Sequence, residues 1–135
     1  MKKSVFCFLV LGIISLTNCN KDEPNNIIEE QYNITVEKPI EGQNFNLNDE
    51  VLIEGVVKGN FELHGYEIQL FNTSNNDSIL YEKFIHTHGE EITISETWIN
   101  NVSEHSDIRV EVSGLADHEG NDRKTKTINI HCHPM

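Results

Sequence analysis

The sequence predicts an all-β fold, an antiparallel β-sandwich of about seven strands. Two observations carry that reading. Short apolar–polar alternating runs recur at roughly ten-residue spacing with turn chemistry between them, and no stretch sustains the apolar spacing of a helix. The first run is 34–36, where Ile34 and Val36 share a face. Pro39, Gly42 and Asn44 then supply a turn before the second run, 51–58. Run 63–71 puts Tyr66, Ile68 and Leu70 on one side, because alternate residues of a strand face the same way. A polar loop, 72–78, leads to run 79–86. Ile92, Ile94 and Trp98 mark the fifth run, and 96–102 has room for one helical turn. Ile108, Val110 and Val112 mark the sixth, and Ile128 and Ile130 the seventh, across a turn at 117–122.

Within this pattern, Pro39-Ile40-Glu41-Gly42 and Val51-Leu52-Ile53-Glu54-Gly55 resemble the opening of bacterial Ig-like domains. The run from Asp117 to Asn121 resembles the Asp-x-x-Gly-Asn hairpin turn common in them. The resemblance implies an Ig-like sandwich for residues 32–135, and such a fold does not specify an activity. Leu63-His64-Gly65-Tyr66, His86-Thr87-His88-Gly89 and Asp117-His118-Glu119-Gly120 resemble elements of a family of small His-bearing Bacteroidetes lipoproteins, which implies no activity either.

The chain begins with Met1-Lys2-Lys3 and an apolar run from Val5 to Leu16. Twelve helical residues cover about 18 Å, short of a hydrocarbon core of roughly 30 Å. A cationic head with a short apolar run is the anatomy of an export signal, read here as residues 1–18. Leu16-Thr17-Asn18-Cys19 resembles the lipobox of bacterial lipoproteins, with Asn18 where Gly, Ala or Ser is usual. That resemblance makes Cys19 the lipid-bearing residue. Cys19-Asn20-Lys21-Asp22-Glu23 resembles the surface-export signal of Bacteroidetes lipoproteins, which implies an outer-membrane anchor facing the cell exterior. Two acyl chains suffice for stable attachment. Residues 19–31, rich in Asn and Glu, read as a flexible tether.

The charge balance narrows the partners. Lys2 and Lys3 leave with the signal, so 8 of the 10 basic residues remain against 22 acidic ones, a formal charge of −14. Such a chain repels phosphate backbones, which argues against nucleic acid. Of three cysteines, Cys7 is lost with the signal and Cys19 is lipidated, leaving Cys132 without a disulfide partner. The domain must therefore stand on its apolar core.

Seven histidines in a domain of this size are many, and their placement concentrates them. Pairing two strands about residues 75 and 76 puts His64 opposite His86 or His88, with cross-strand Cβ atoms about 5 Å apart. In phase, His64 goes with Tyr66 and Ile68, and His86 with Phe84. The Ig-like topology brings the loop carrying His118 to the same end. His64, His86, His88 and His118 are thus the expected metal ligands, for copper or zinc as imidazole donors suit. Calcium wants six or more oxygens and fits poorly. A second candidate, His131-Cys132-His133, pairs near residue 108 at the opposite end with His105 not far off, and His105 reads as ordinary surface. If the last strand runs on, Cys132 turns inward with Ile128 and Ile130.

No nucleophile elbow, phosphate loop or metalloprotease signature is present, and none of Glu62, Glu90 and Glu119 is marked out as a base. The expected function is non-enzymatic: a lipoprotein that buffers, senses or transfers a transition metal at the envelope, where it meets the membrane and a possible protein partner. The competing expectation is an adhesion or interaction module with incidental histidines. Asp77-Ser78-Ile79 also resembles the Bacteroidetes O-glycosylation acceptor.

Overall fold

A computed structural model describes residue 29 and residues 31–134; the expected signal, Cys19 and most of the expected tether lie outside the described residues. Six strands make up the domain: β1 (Tyr32–Lys38), β2 (Asn44–Phe45), β3 (Glu50–Asn72), β4 (Ser78–Ile99), β5 (Ser106–Leu115) and β6 (Arg123–Cys132). The hydrogen-bonded order is β1-β3-β5-β6-β2, with β4 on the other side of β3. All pairings are antiparallel except β2 with β6.

The all-β sandwich expected from the alternation is present, built from fewer and longer strands. Runs 51–58 and 63–71 are one strand of 23 residues, and runs 79–86 and 92–98 one of 22. Gly59, Asn60 and Gly89 look like breaks in sequence, yet the strands run through them, with residues 59–62 left without a partner on β4 and the register shifted across the gap. The helical turn allowed at 96–102 is strand as far as Ile99 instead. The two-residue β2 is too short for any alternation to announce it.

The long hairpin curls over on itself to make the two layers. Lys83 and Glu96 lie on the same strand, where thirteen extended residues would span about 43 Å, yet they form an ion pair. The Tyr66 hydroxyl on the second half of β3 also donates to Glu96 Oε1 at 3.1 Å. One layer therefore holds β1 and the halves of β3 and β4 paired with each other from Glu50 to Lys58. The other holds the remaining halves, β5, β6 and β2.

Apolar side chains fill the space between the layers. Val51, Ile53, Val57, Leu63, Ile68, Leu70, Val110 and Val112 are wholly buried, and Ile94, Trp98, Ile108, Ile128 and Ile130 nearly so. Alternation accounts for their share along the first half of β5 and the last half of β6, where one residue in two faces the core. Ile79 and Phe84 break the pattern, standing about half exposed on β4.

Two ends result. At one, β3 and β4 bend next to the β5–β6 turn, whose Asp117 carboxylate accepts from the amides of Asn121 and Asp122 at 2.8 and 3.1 Å. At the other, the buried Asn100 side chain donates to the carbonyls of Asn46 at 2.9 Å and His133 at 3.2 Å. That amide ties β2 to the end of β6.

Candidate metal centre

The histidines at the first end meet because the register slips. From Gly65 to Leu70 the β3–β4 pairing is regular, with Gly65 opposite His86 and Tyr66 opposite Ile85. Continued by one residue, it would set position 64 opposite Thr87, on the face away from His86 and His88. The expected phase, His64 with Tyr66 and Ile68, would bury the imidazole among the core residues. The structure corrects this. A shift between Leu63 and Gly65 lets Leu63 pair with Gly89 and continue the core face. His64 is thereby turned toward His88.

Gly65 makes the slip possible. Its φ of +133° is a conformation that L side chains rarely adopt, and a Cβ there would lie 2.0 Å from the Ile85 carbonyl oxygen. Gly65 also pairs with Leu115 on β5, directly before the turn that carries His118. A single glycine thus lies between the two strands and the loop that supply the cluster.

The result is compact. One nitrogen from each of His64, His88 and His118 lies within 4.8 Å of the others. The His64 ring centroid is 4.1 Å from that of His118 and 4.8 Å from that of His88. His86 borders this trio, with its Nε2 at 3.1 Å from His88 Nε2 and its ring 5.2 Å from that of His118. Tetrahedral zinc with nitrogens at ~2.0–2.1 Å spaces them about 3.3 Å apart, so that nitrogen pair is spaced like one edge of a coordination shell. Glu62 Oε1 lies 3.4 Å from His88 Nδ1, an exposed ion-pair contact at the rim of the cluster. His64 Nδ1 is buried and has no hydrogen-bond partner among the described residues. His86, His88 and His118 are exposed, so an ion can reach the trio from solvent.

At the second end the expected donor set needs correcting. The last strand runs on, and Cys132 is wholly buried on the inward face that it shares with Ile128 and Ile130, while His131 and His133 are only partly buried. Burial, with a smaller contribution from the Asp49 charge, pushes its thiol up to about 11. A ligand thiolate is disfavoured there. His105, expected to be ordinary surface, takes the place of the cysteine: its donor nitrogen and those of His131 and His133 lie within 4.8 Å of one another.

No protein-family model matches the chain, and no curated protein matches it. Among solved structures, the chain is similar to the sporulation control protein Spo0M from Bacillus subtilis, with a TM-score of 0.51 and 14% sequence identity. The match covers 77% of this chain and 49% of that one, so the chain spans about half the length of Spo0M. At such low identity the likeness concerns the β-rich fold alone.

Proposed function

We propose that the chain is a cell-envelope lipoprotein whose sandwich presents a transition-metal site made by His64, His88 and His118, with His86 beside them. The carrying observation is the gathering of three further imidazoles around His64, whose buried Nδ1 has no hydrogen-bond partner among the described residues. A buried polar atom left unsatisfied costs about 1–3 kcal/mol, and coordination through that nitrogen removes the cost. All-imidazole donors favour zinc or copper over calcium or magnesium. The reading is non-catalytic: the site takes up a metal to buffer, sense or pass it on.

The lipobox-like Leu16-Thr17-Asn18-Cys19 and the following Lys21-Asp22-Glu23 support an anchor on Cys19 and display on the outer membrane. A domain held by lipid at the surface meets external metal first. Fatty-acid labelling of the full chain, abolished by Cys19→Ala, tests the anchor. Calorimetric titration of the untagged chain with zinc(II) and copper(II) tests the site, and a His64→Ala/His118→Ala variant should lose binding there by at least a hundredfold. An unchanged number of bound ions in that variant contradicts the reading.

One feature favours the interaction module as a second reading. Among the described residues β4 pairs with β3 alone, so its outer edge is free, and Phe84 and Ile79 stand exposed on that strand. An unpaired edge with apolar side chains is a ready template for another strand. A chain that takes up neither metal would leave this reading in place.

A further inference from the structure

The second histidine cluster is built differently, and its hydrogen bonds define which nitrogens face a ligand. His131 Nδ1 lies 2.7 Å from Asp107 Oδ1. Paired with a carboxylate, that nitrogen carries the proton and donates it, which leaves Nε2 with its lone pair. His133 Nε2 lies 3.3 Å from Asn44 Oδ1, so it donates to the amide oxygen and Nδ1 holds the lone pair. That Nδ1 is in turn 3.1 Å from His105 Nδ1, close to the nitrogen–nitrogen edge of about 3.3 Å around tetrahedral zinc. Metal-ligating histidines almost always give their other ring N–H to a carboxylate, carbonyl or water, which fixes the tautomer and orients the ring. Two of these three histidines have such a partner, each supplied by a different strand.

The cluster's foundations are equally specific. His131 is the β6 partner of Asp107 on β5 and of Asn44 on β2. His105 stands at the end of the 100–105 loop, where Ser106 pairs with Cys132. The rings of His105 and His133 are 5.0 Å apart and those of His131 and His133 4.6 Å. His105 also borders an open cleft of about 450 Å³ lined by Asn72, Asn101 and Glu104, and is itself exposed.

We propose that His105, His131 and His133 form a second transition-metal site, independent of the first, with Asp107 and Asn44 as the residues that orient its ligands. Three imidazoles leave a fourth position for water or an anion from the cleft, the arrangement of an accessible zinc or copper(II) site. Binding there clamps the end of β6 to β2 and to the 100–105 loop, three pieces held together through the Asn100 amide and the His133 amide bond to the Phe45 carbonyl.

Zinc titration of the untagged full chain, read by native mass spectrometry, separates the sites. The wild type should take up two ions. His64→Ala/His118→Ala and His105→Ala/His133→Ala should each take up one, and the fourfold variant none. Folding of every variant is verified by far-UV circular dichroism and urea unfolding. In the His64→Ala/His118→Ala chain, Asp107→Asn should weaken zinc about tenfold while leaving the three ligands in place. Hydrogen exchange at the His133 amide should slow at least fivefold on adding zinc to that same chain. A wild type that binds one ion and loses it with His64 and His118 overturns this second site while leaving the first reading intact. One ion lost only with His105 and His133 keeps this site and removes the first.

Discussion

The two histidine clusters differ in how the chain builds them. At the first end the ligands come together through an irregularity, the slip at Gly65 that rotates His64 off the core face. At the second end regular strand ends do the work: His131 and His133 alternate outward from β6 while Cys132 between them turns in. The surroundings differ too. The first cluster contains a buried nitrogen with no partner among the described residues, whereas two rings of the second are held by Asp107 and Asn44. A site resting on a strained glycine should be sensitive to backbone changes, and a site resting on oriented side chains to changes in their partners.

The largest effect expected is at Gly65. Gly65→Ala places a Cβ against the Ile85 carbonyl at a φ unfavourable for alanine, and should lower stability by about 3 kcal/mol. Urea unfolding reads that loss, and zinc uptake should fall at the first end alone in the molecules that remain folded. Equal loss at both ends would break the comparison.

Asn100→Ala is the counterpart at the second end. Its amide donates to the carbonyls of Asn46 and His133, and its oxygen accepts from the Val102 amide. Removing it strands buried backbone groups at a cost of about 2 kcal/mol, with hydrogen exchange rising at residues 44–46 and 131–133 and not around Gly65.

Changes that spare the backbone should be smaller and should divide the ends more cleanly. Asp107→Asn weakens the hold on His131, whereas Glu62→Gln acts on a longer, exposed contact to His88. Zinc affinity should fall about tenfold for the former and by less for the latter. At both ends binding should weaken as pH falls, because protons compete for the ligand nitrogens.

The smallest effect lies in alkali. Burial, aided by Asp122 for Tyr32 and by Glu96 for Tyr66, pushes both phenols up to about 12, and burial takes the Cys132 thiol to about 11. Each group holds its proton longer in the folded chain than at its ordinary value of 10.0 or 9.0. Their contribution is thus fully present below those values and is lost as pH rises through about 11 to 12. Melting temperatures should fall over that window, and Cys132 should resist alkylation at neutral pH until the chain unfolds.

Much of this architecture was legible in the sequence. The apolar alternation located the strands, and the pairing centred on residues 75 and 76 put His64 within reach of His86 and His88, with Ig-like topology adding His118. The fusion of four runs into two long strands was hidden because Gly59 and Gly89 resemble turn residues, and pairing with Tyr32 on β1 and Leu63 on β3 holds them in strand. The face of His64 was hidden for the same reason, since a register slip reverses which side a residue takes. His105 falls near this end in the sequence reading but reads there as surface, although the β5–β6 hairpin contained the signal for its part in the cluster. Ser106 opposes Cys132, and one further step sets His105 beside His133. The sequence estimate put His131 near residue 108, one place from the observed Asp107, and at a strand end one place decides which loop residue joins.

The proposed metal centre stands or falls on the His64, His88 and His118 cluster. X-ray absorption on the His105→Ala/His133→Ala chain, loaded with one equivalent of zinc, examines that cluster alone. The predicted spectrum has three or four nitrogens at about 2.0–2.1 Å with the multiple scattering of imidazole rings. An oxygen-only shell, or zinc removed by simple desalting, would contradict the claim.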